Sequence, residues 1–203
     1  MIRGAIIAGG QASRFGGRPK GLEEVGGVRI LDRLVATFEA AFSSPPLLIA
    51  NAPDAATWRP GLRVVADIRP GMGSLGGIYT AIVAAPAPVV LAAWDMPFVS
   101  VSLLQALADG LRDADACLPE SDGPRGVEPL CAAYGPACGP AIAASLEAGD
   151  LRAVGFHAGI KVGILSTTRV RAFGDPAALF FNVNTADDLA EADRLWRKLE
   201  SSR

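Results

Sequence analysis

The apolar run IRGAIIA, residues 2–8, opens directly into AGGQASRFGGRPKGL, residues 8–22. A buried strand that feeds a loop with five glycines, two arginines and one lysine resembles a phosphate-binding turn. Glycines let the backbone approach an anion closely and offer N–H donors, and Arg14 and Lys20 add fixed positive charge. Neither common template fits, however. A Walker A loop needs Gly-Lys-Ser/Thr, whereas Lys20 stands between Pro19 and Gly21. The dinucleotide fingerprint needs glycines at i, i+2 and i+5, and this loop has no such set. The loop therefore calls for a different phosphate chemistry, and the rest of the chain must say which.

Moving outward, short apolar runs alternate with helical patterns, the sequence sign of βαβ units. Leu31, Leu34, Val35, Phe38 and Phe42 recur at helical spacing, which predicts an amphipathic helix over 28–42. LLIA, RVVA and VVLAAW read as further strands, followed by Asn51, Asp67 and Asp95. Ser100 is placed to cap the next helix, with Val101, Leu104, Leu107, Ala108 and Leu111 facing inward. DACLP and PLCAAY are strand candidates around a polar loop at 119–128, and 136–149 reads as a helix with a glycine stop. Residues 150–181 suggest a short helix near 151–157 and one or two short strands. Thr185 and Asp188 form a capping-box pattern for a last helix that carries Leu189, Ala192, Trp196 and Leu199 on one face. The expectation is one α/β domain over 1–203, a Rossmann-like three-layer sandwich with a mostly parallel, twisted sheet and helices on both faces.

Bulk properties narrow the function. The chain has 203 residues, half of them hydrophobic, and a formal charge of −2. With no long basic run, a nucleic-acid partner is not expected. Cys117, Cys131 and Cys138 lack CxxC spacing and read as buried thiols in a reducing cytosol. The N-terminal apolar patch is too short for a signal peptide. Residues 72–94 carry no charge over a length that would cross a membrane, but the glycine cluster, Pro86 and Pro88 interrupt any helix there, so no membrane association is expected. His157 is the only histidine, which excludes a two-histidine metal site and marks it as a packing or surface residue. No GxSxG nucleophile elbow is present.

Strand ends carry the functional signal. In open α/β sheets the ligand crevice lies outside the carboxyl ends of the strands. The glycine loop, Asn51, Asp67 and Asp95 all follow strands, so four segments converge on one edge. Any one of them alone reads equally well as a turn or cap residue. Together they bring N–H donors, a bidentate guanidinium, a point-charge ammonium and a carboxylate able to hold Mg²⁺ beside phosphates. That set suits metal-assisted transfer of a nucleotide.

The residues that carry this reading also resemble a known family. IAGGQASRFGGRPKGL resembles the LAGGxxxRMGxxKxL signature of the NTP-transferase superfamily. GMGSLGGIYTAI (71–82), WDMPFV (94–99), EPLCAAY (128–134) and FNVNTADDL (181–189) are similar to the GPLAGI, CDMPF, P-L-x-A-x-Y and NINTPEDL segments of the molybdenum cofactor guanylyltransferases. The matches run from residue 4 to 189 in the family's order. This resemblance implies backbone contacts to a guanine nucleotide from Ile7, Ala8, Gly9 and Gly10. It implies that Arg14 and Lys20 hold the triphosphate, that Asn51 and Asp67 recognise the base or ribose side, that Asp95 binds Mg²⁺, and that Asn182 and Asn184 lie near a pterin-phosphate acceptor. The implied substrates are GTP and molybdopterin, and the product would pass to a molybdoenzyme or a cofactor-delivery protein in the cytoplasm.

The departures from the pattern are Phe15 for Met, Pro19 for Asp, Ser74 and Gly76 for the Pro and Ala of GPLAGI, Trp94 for Cys, and Ala186 for Pro. None removes a charge or a metal-binding group. The altered second glycine segment leaves three rivals open. One is a cytidylyltransferase acting on the same cofactor. The second is a sugar-phosphate nucleotidyltransferase. The third, of another class, is a nucleotide- or cofactor-binding accessory module without activity.

Overall fold

The computed structural model describes residues 1–9, 19–85 and 87–201. Among these, seven strands form one sheet. They are β1 (Arg3–Ala8), β4 (Leu47–Ala50), β5 (Val64–Val65), β6 (Val89–Ala93), β7 (Ala116–Pro119), β8 (Cys131–Tyr134) and β9 (Val162–Leu165), in the order β5-β4-β1-β6-β8-β7-β9. Two further strands, β2 (Glu24–Val25) and β3 (Val28–Arg29), form a separate hairpin. Pairings β5–β4, β4–β1, β1–β6 and β7–β9 are parallel, and only β8 runs against its neighbours β6 and β7. The expected mostly parallel sheet is therefore present, with one reversed strand inside it.

Side-chain alternation explains the layers. Along β1, Ile6 points to one face and Ile7 to the other; along β6, Val90 and Ala92 oppose Val89 and Leu91. The first face is covered by α1 (Ile30–Phe42), α4 (Val101–Gly110) and α8 (Ala186–Ser201), through residues such as Leu34, Phe38, Leu104 and Ala192. The second is covered by α3 (Gly73–Ala84) and α5 (Cys138–Glu147), through Leu75, Ile78, Ile142 and Leu146. Both faces being buried is why the strands read as continuous apolar runs rather than alternating ones.

Two caps appear as expected. Ser100 Oγ accepts from Leu103 N–H at the start of α4. Thr185 Oγ1 accepts from Asp188 N–H while the Asp188 carboxylate accepts from Thr185 N–H, closing the reciprocal box ahead of α8. The three cysteines are buried and free. Among the described residues, no helix is long and apolar enough to cross a membrane. Pro86 lies outside the described residues; α3 ends before it at Ala84.

Four expectations need correction. The helix predicted over 28–42 begins only at Ile30, because Val28 and Arg29 pair with Val25 and Glu24 across Gly26 and Gly27, whose φ values are +60° and +73°. Two successive positive φ angles make the tight hairpin that consecutive glycines favour. The helix expected near 151–157 is instead a 3-10 turn over Gly155–Gly159. Beyond it lie two short helices that the apolar pattern did not announce, α6 (Thr167–Arg171) and α7 (Pro176–Leu179). In α4 the inward set is Leu103, Leu104 and Leu107, while Val101, Ala108 and Leu111 are only half-buried.

Candidate active site

At the β1–β6 boundary the chain reverses its direction of growth across the sheet, and a crevice of about 480 Å³ opens there at the carboxyl ends of the strands. Ile7, Ala8 and Gly9 enter it from β1, Asn51 from β4, and Ala93, Trp94 and Asp95 from β6. The short residues Gly71, Gly73, Ser74 and Gly77 form another wall, and Asp67, Leu130 and Asn182 complete the lining used below. A Cβ on Gly77 would stand 3.0 Å from Ile7 Cγ2, so the absence of a side chain lets α3 close on the end of β1. Gly10 and Arg14 lie outside the described residues.

One end of this region is charged. Lys20 is 7% exposed, and its ammonium lies 3.9 Å from Asp95 Oδ2. That separation gives attraction without a direct hydrogen bond. The ammonium donates instead to Asn184 Oδ1 at 2.7 Å. Asn184 is held in turn, because its N–H donates to Asp188, the capping carboxylate of α8. Burial pushes the Asp188 carboxyl up, but hydrogen bonds from Asn184 and Thr185 and the charge of Lys20 outweigh it and hold the group below its ordinary value. For Asp95 the balance goes the other way. Burial raises its pKa more than Lys20 and its own backbone N–H lower it. Its Oδ1 is buried with no hydrogen-bond partner among the described residues. An orphaned carboxylate oxygen at the edge of a ligand crevice fits a cation ligand, and Mg²⁺ binds through one or two such carboxylates together with phosphate oxygens.

The turn that carries Lys20 is held by aromatic packing. A Cβ on Gly21 would fall 2.4 Å from Trp94 Cε3, so the Lys20–Leu22 turn lies flat against the indole. Trp94 also stacks on Trp58 at 5.1 Å, and its backbone N–H donates to Ile7 O. The residue that departs from the family pattern thus supports the lysine and adjoins the carboxylate.

The other end is a hydrogen-bonded pair. Asn51 Nδ2 donates to Asp67 Oδ2 at 2.7 Å, and Asp67 N–H donates to Asn51 Oδ1 at 2.8 Å. Asn182 lines the crevice and donates through Nδ2 to Phe180 O. Asn182 and Asn184 therefore divide: the first faces the ligand space and the second secures Lys20. His157, expected to pack, is set edge-on against Phe156 with its Nε2 buried, away from the crevice lining.

Two residues escaped the sequence reading. Glu128 accepts from Leu130 N–H at 3.1 Å. Burial raises its pKa, the Leu130 hydrogen bond and Arg125 oppose this, and the charge of Asp95 adds to it. The EPLCAAY segment marked its place, but nothing in the spacing marked its charge as near Asp95. Thr80, fully buried in α3, bonds the backbone beside Asp67. In an apolar helical run it reads as core.

The family model described as the MobA-like NTP transferase domain matches residues 4–159. The chain belongs to the MobA-like NTP transferase family. This is a family of nucleotidyltransferase enzymes. A probable molybdenum cofactor guanylyltransferase of Pelotomaculum thermopropionicum is 34% identical over 190 residues, covering 93% of this chain and 90% of the relative. A molybdenum cofactor guanylyltransferase of Desulfosudis oleivorans is 30% identical over 195 residues, covering 95% and 94%. The crystal structure of molybdopterin-guanine dinucleotide biosynthesis protein A from Archaeoglobus fulgidus superposes with a TM-score of 0.82 at 25% identity, covering 98% of this chain and all of that one. The resemblance drawn from five short segments thus extends over nearly the whole MobA-like chain.

Proposed function

We propose that this protein transfers GMP from GTP to the terminal phosphate of molybdopterin, forming the guanine dinucleotide form of the cofactor and releasing pyrophosphate. The observation that carries the reading is the pairing of Lys20 with a half-buried Asp95, whose buried Oδ1 has no partner among the described residues, at the crevice whose far end is the Asn51–Asp67 pair. The names of its relatives support the choice of nucleotide and acceptor.

In this reading an oxygen of the acceptor phosphate attacks the α-phosphorus of GTP. A new P–O bond forms as the bond from the α-phosphorus to the bridging oxygen of the β-phosphate breaks, and that electron pair leaves on pyrophosphate. The attacking phosphate is already largely ionised at neutral pH, so no protein nucleophile is needed. The protein contributes position and charge. Lys20, held by Asn184, meets the charge that develops on the leaving group. Arg14, by its place in the signature, adds to it. Asp95 would hold Mg²⁺, which supplies further neutralisation of phosphate charge. Asp67 and Asn51 sit on the base side, backed by the backbone of Ile7 to Gly9, with Gly10 added by its place in the signature, and Asn182 faces the acceptor. Such an enzyme works in the cytoplasm and hands its product to a molybdoenzyme or a delivery protein.

The test is thermal stabilisation of the purified protein by GTP, CTP, UTP and ATP, each with and without Mg²⁺, followed by pyrophosphate release on adding molybdopterin. The expected result is a Mg²⁺-dependent shift with GTP and molybdopterin-dependent release. A shift confined to CTP or UTP would overturn the substrate, and GTP binding without release would overturn the reaction.

A further inference from the structure

Among the described residues, aromatics and cysteines apart, only two polar side chains are buried, Lys20 and Thr80. Lys20 belongs to the charged end of the crevice. Thr80 does not line it at all. It sits in α3, whose other inward residues are Leu75, Gly76, Gly77, Ile78, Ala81 and Ile82. Valine would fill the same space, so the hydroxyl has to be explained by its bonds.

Both directions of that hydroxyl are used. Oγ1 donates to Gly76 O at 2.9 Å, one turn back along the helix. It accepts from Ile68 N–H at 3.0 Å. Ile68 directly follows Asp67, whose own N–H is taken by Asn51. Two consecutive amides are thus tied to two different elements, the end of β4 and the middle of α3. Packing does not replace these ties, since the Ile68 side chain is 48% exposed and Gly71 turns the chain at a φ of +80°. The following residue adds a third tether, with Arg69 pairing with Glu147 of α5 at 3.0 Å.

We infer that Thr80 is a positioning residue for nucleotide selection: by clamping Ile68 N–H it fixes the direction in which Asp67 presents its carboxylate to the base. The inference rests on the proposed reading of Asp67 as a base-side residue. A carboxylate discriminates among bases only if its oxygens are held where the N–H donors of one base will arrive, and a site built that way rejects bases that lack those donors. Asn51 fixes one oxygen by a hydrogen bond, but it sits on the same exposed polar rim. Thr80 anchors that rim to the core.

The experiment is titration calorimetry of the full chain with GTP, ATP, CTP and UTP for wild type, Thr80→Val and Thr80→Ser, with KM and kcat from pyrophosphate release. Thr80→Val is expected to weaken the preferred nucleotide roughly five- to tenfold, the scale of one lost hydrogen bond. The other nucleotides should be unchanged, so that the discrimination ratio falls by the same factor. The loss should fall on KM for the nucleotide and not on kcat, and Thr80→Ser should restore wild-type discrimination. Equal weakening of all four nucleotides, or an unchanged ratio, overturns the inference. If Thr80→Val does not fold, Thr80→Ala gives up the same oxygen without forcing a methyl against the neighbouring segment, and is read the same way. If wild type prefers a base other than guanine, the GTP reading fails, while the role of Thr80 is still decided by the ratio for the base it does prefer.

Discussion

The two ends of the crevice solve opposite problems. At the Asn51–Asp67 end, exposed and half-buried groups bond to one another, and Thr80 ties their backbone to the core. At the Lys20–Asp95 end the groups are withdrawn from water, the Asp95 side chain keeping 16% of its exposure, and yet one carboxylate oxygen has no partner among the described residues. The first end is complete before a ligand arrives and can therefore discriminate by shape. The second is left incomplete and gains its missing interaction from what it binds. Preorganised recognition and unmet charge, side by side, are what a reaction made of positioning and electrostatics requires.

Removing the incomplete end should produce the largest effect. Asp95→Asn is expected to lower turnover by about three orders of magnitude or more, on the scale of losing a principal electrostatic stabiliser. The same change should not lower the melting temperature at neutral pH. Burial holds the folded pKa of Asp95 above its usual value, so the stability it allows is fully present below the ordinary carboxylate pKa and is lost as pH rises through the raised folded one. An amide fixes the neutral form and removes that loss. A clear fall in melting temperature together with retained turnover would reverse the contrast between the two ends.

Next in size is Lys20→Ala, with an expected loss of about 10²–10³ in kcat and little change in nucleotide discrimination. If the discrimination ratio moved as much as kcat, the charged end would also be reading the base. Smallest is Gly21→Ala. Its Cβ would meet the Trp94 ring at 2.4 Å, which should cost about 1–3 kcal/mol of stability and displace Lys20. Adding Trp94→Cys opens that space, so the double variant should recover turnover relative to Gly21→Ala alone, as a double-mutant cycle would register. Failure to recover would mean that Trp94 does not support the lysine.

Much of this was legible in the chain because burial on both faces of a parallel sheet leaves a plain mark. LLIA, RVVA and VVLAAW are visible as strands for that reason, the last ending in the structure one residue early at Ala93, and Asn51, Asp67 and Asp95 are visible as the polar residues that follow them. Elements too short to show a period were not. The hairpin of β2 and β3 has two residues per strand, and α6 and α7 have five and four residues. Within the site, the resemblance supplied Asn184 but could not say that it bonds Lys20 rather than facing the crevice. Nor could periodicity distinguish the Thr80 hydroxyl from another small core side chain, because the amide that it binds lies twelve residues away.

The bond between Lys20 and Asn184 spans 164 positions of the chain. During synthesis the lysine emerges long before the asparagine. Strands β1, β4, β5 and β6 can pair as soon as residue 93 is free, since their partners are by then all available. Lys20 then has its longer attraction to Asp95 almost at once, but not its direct hydrogen bond. A chain cut short before Asn184 would keep the attraction between Lys20 and Asp95 and lack the hydrogen bond that orients the ammonium. The aim of this one ammonium thus waits on the segment that leads into α8, long after the sheet beneath it can pair.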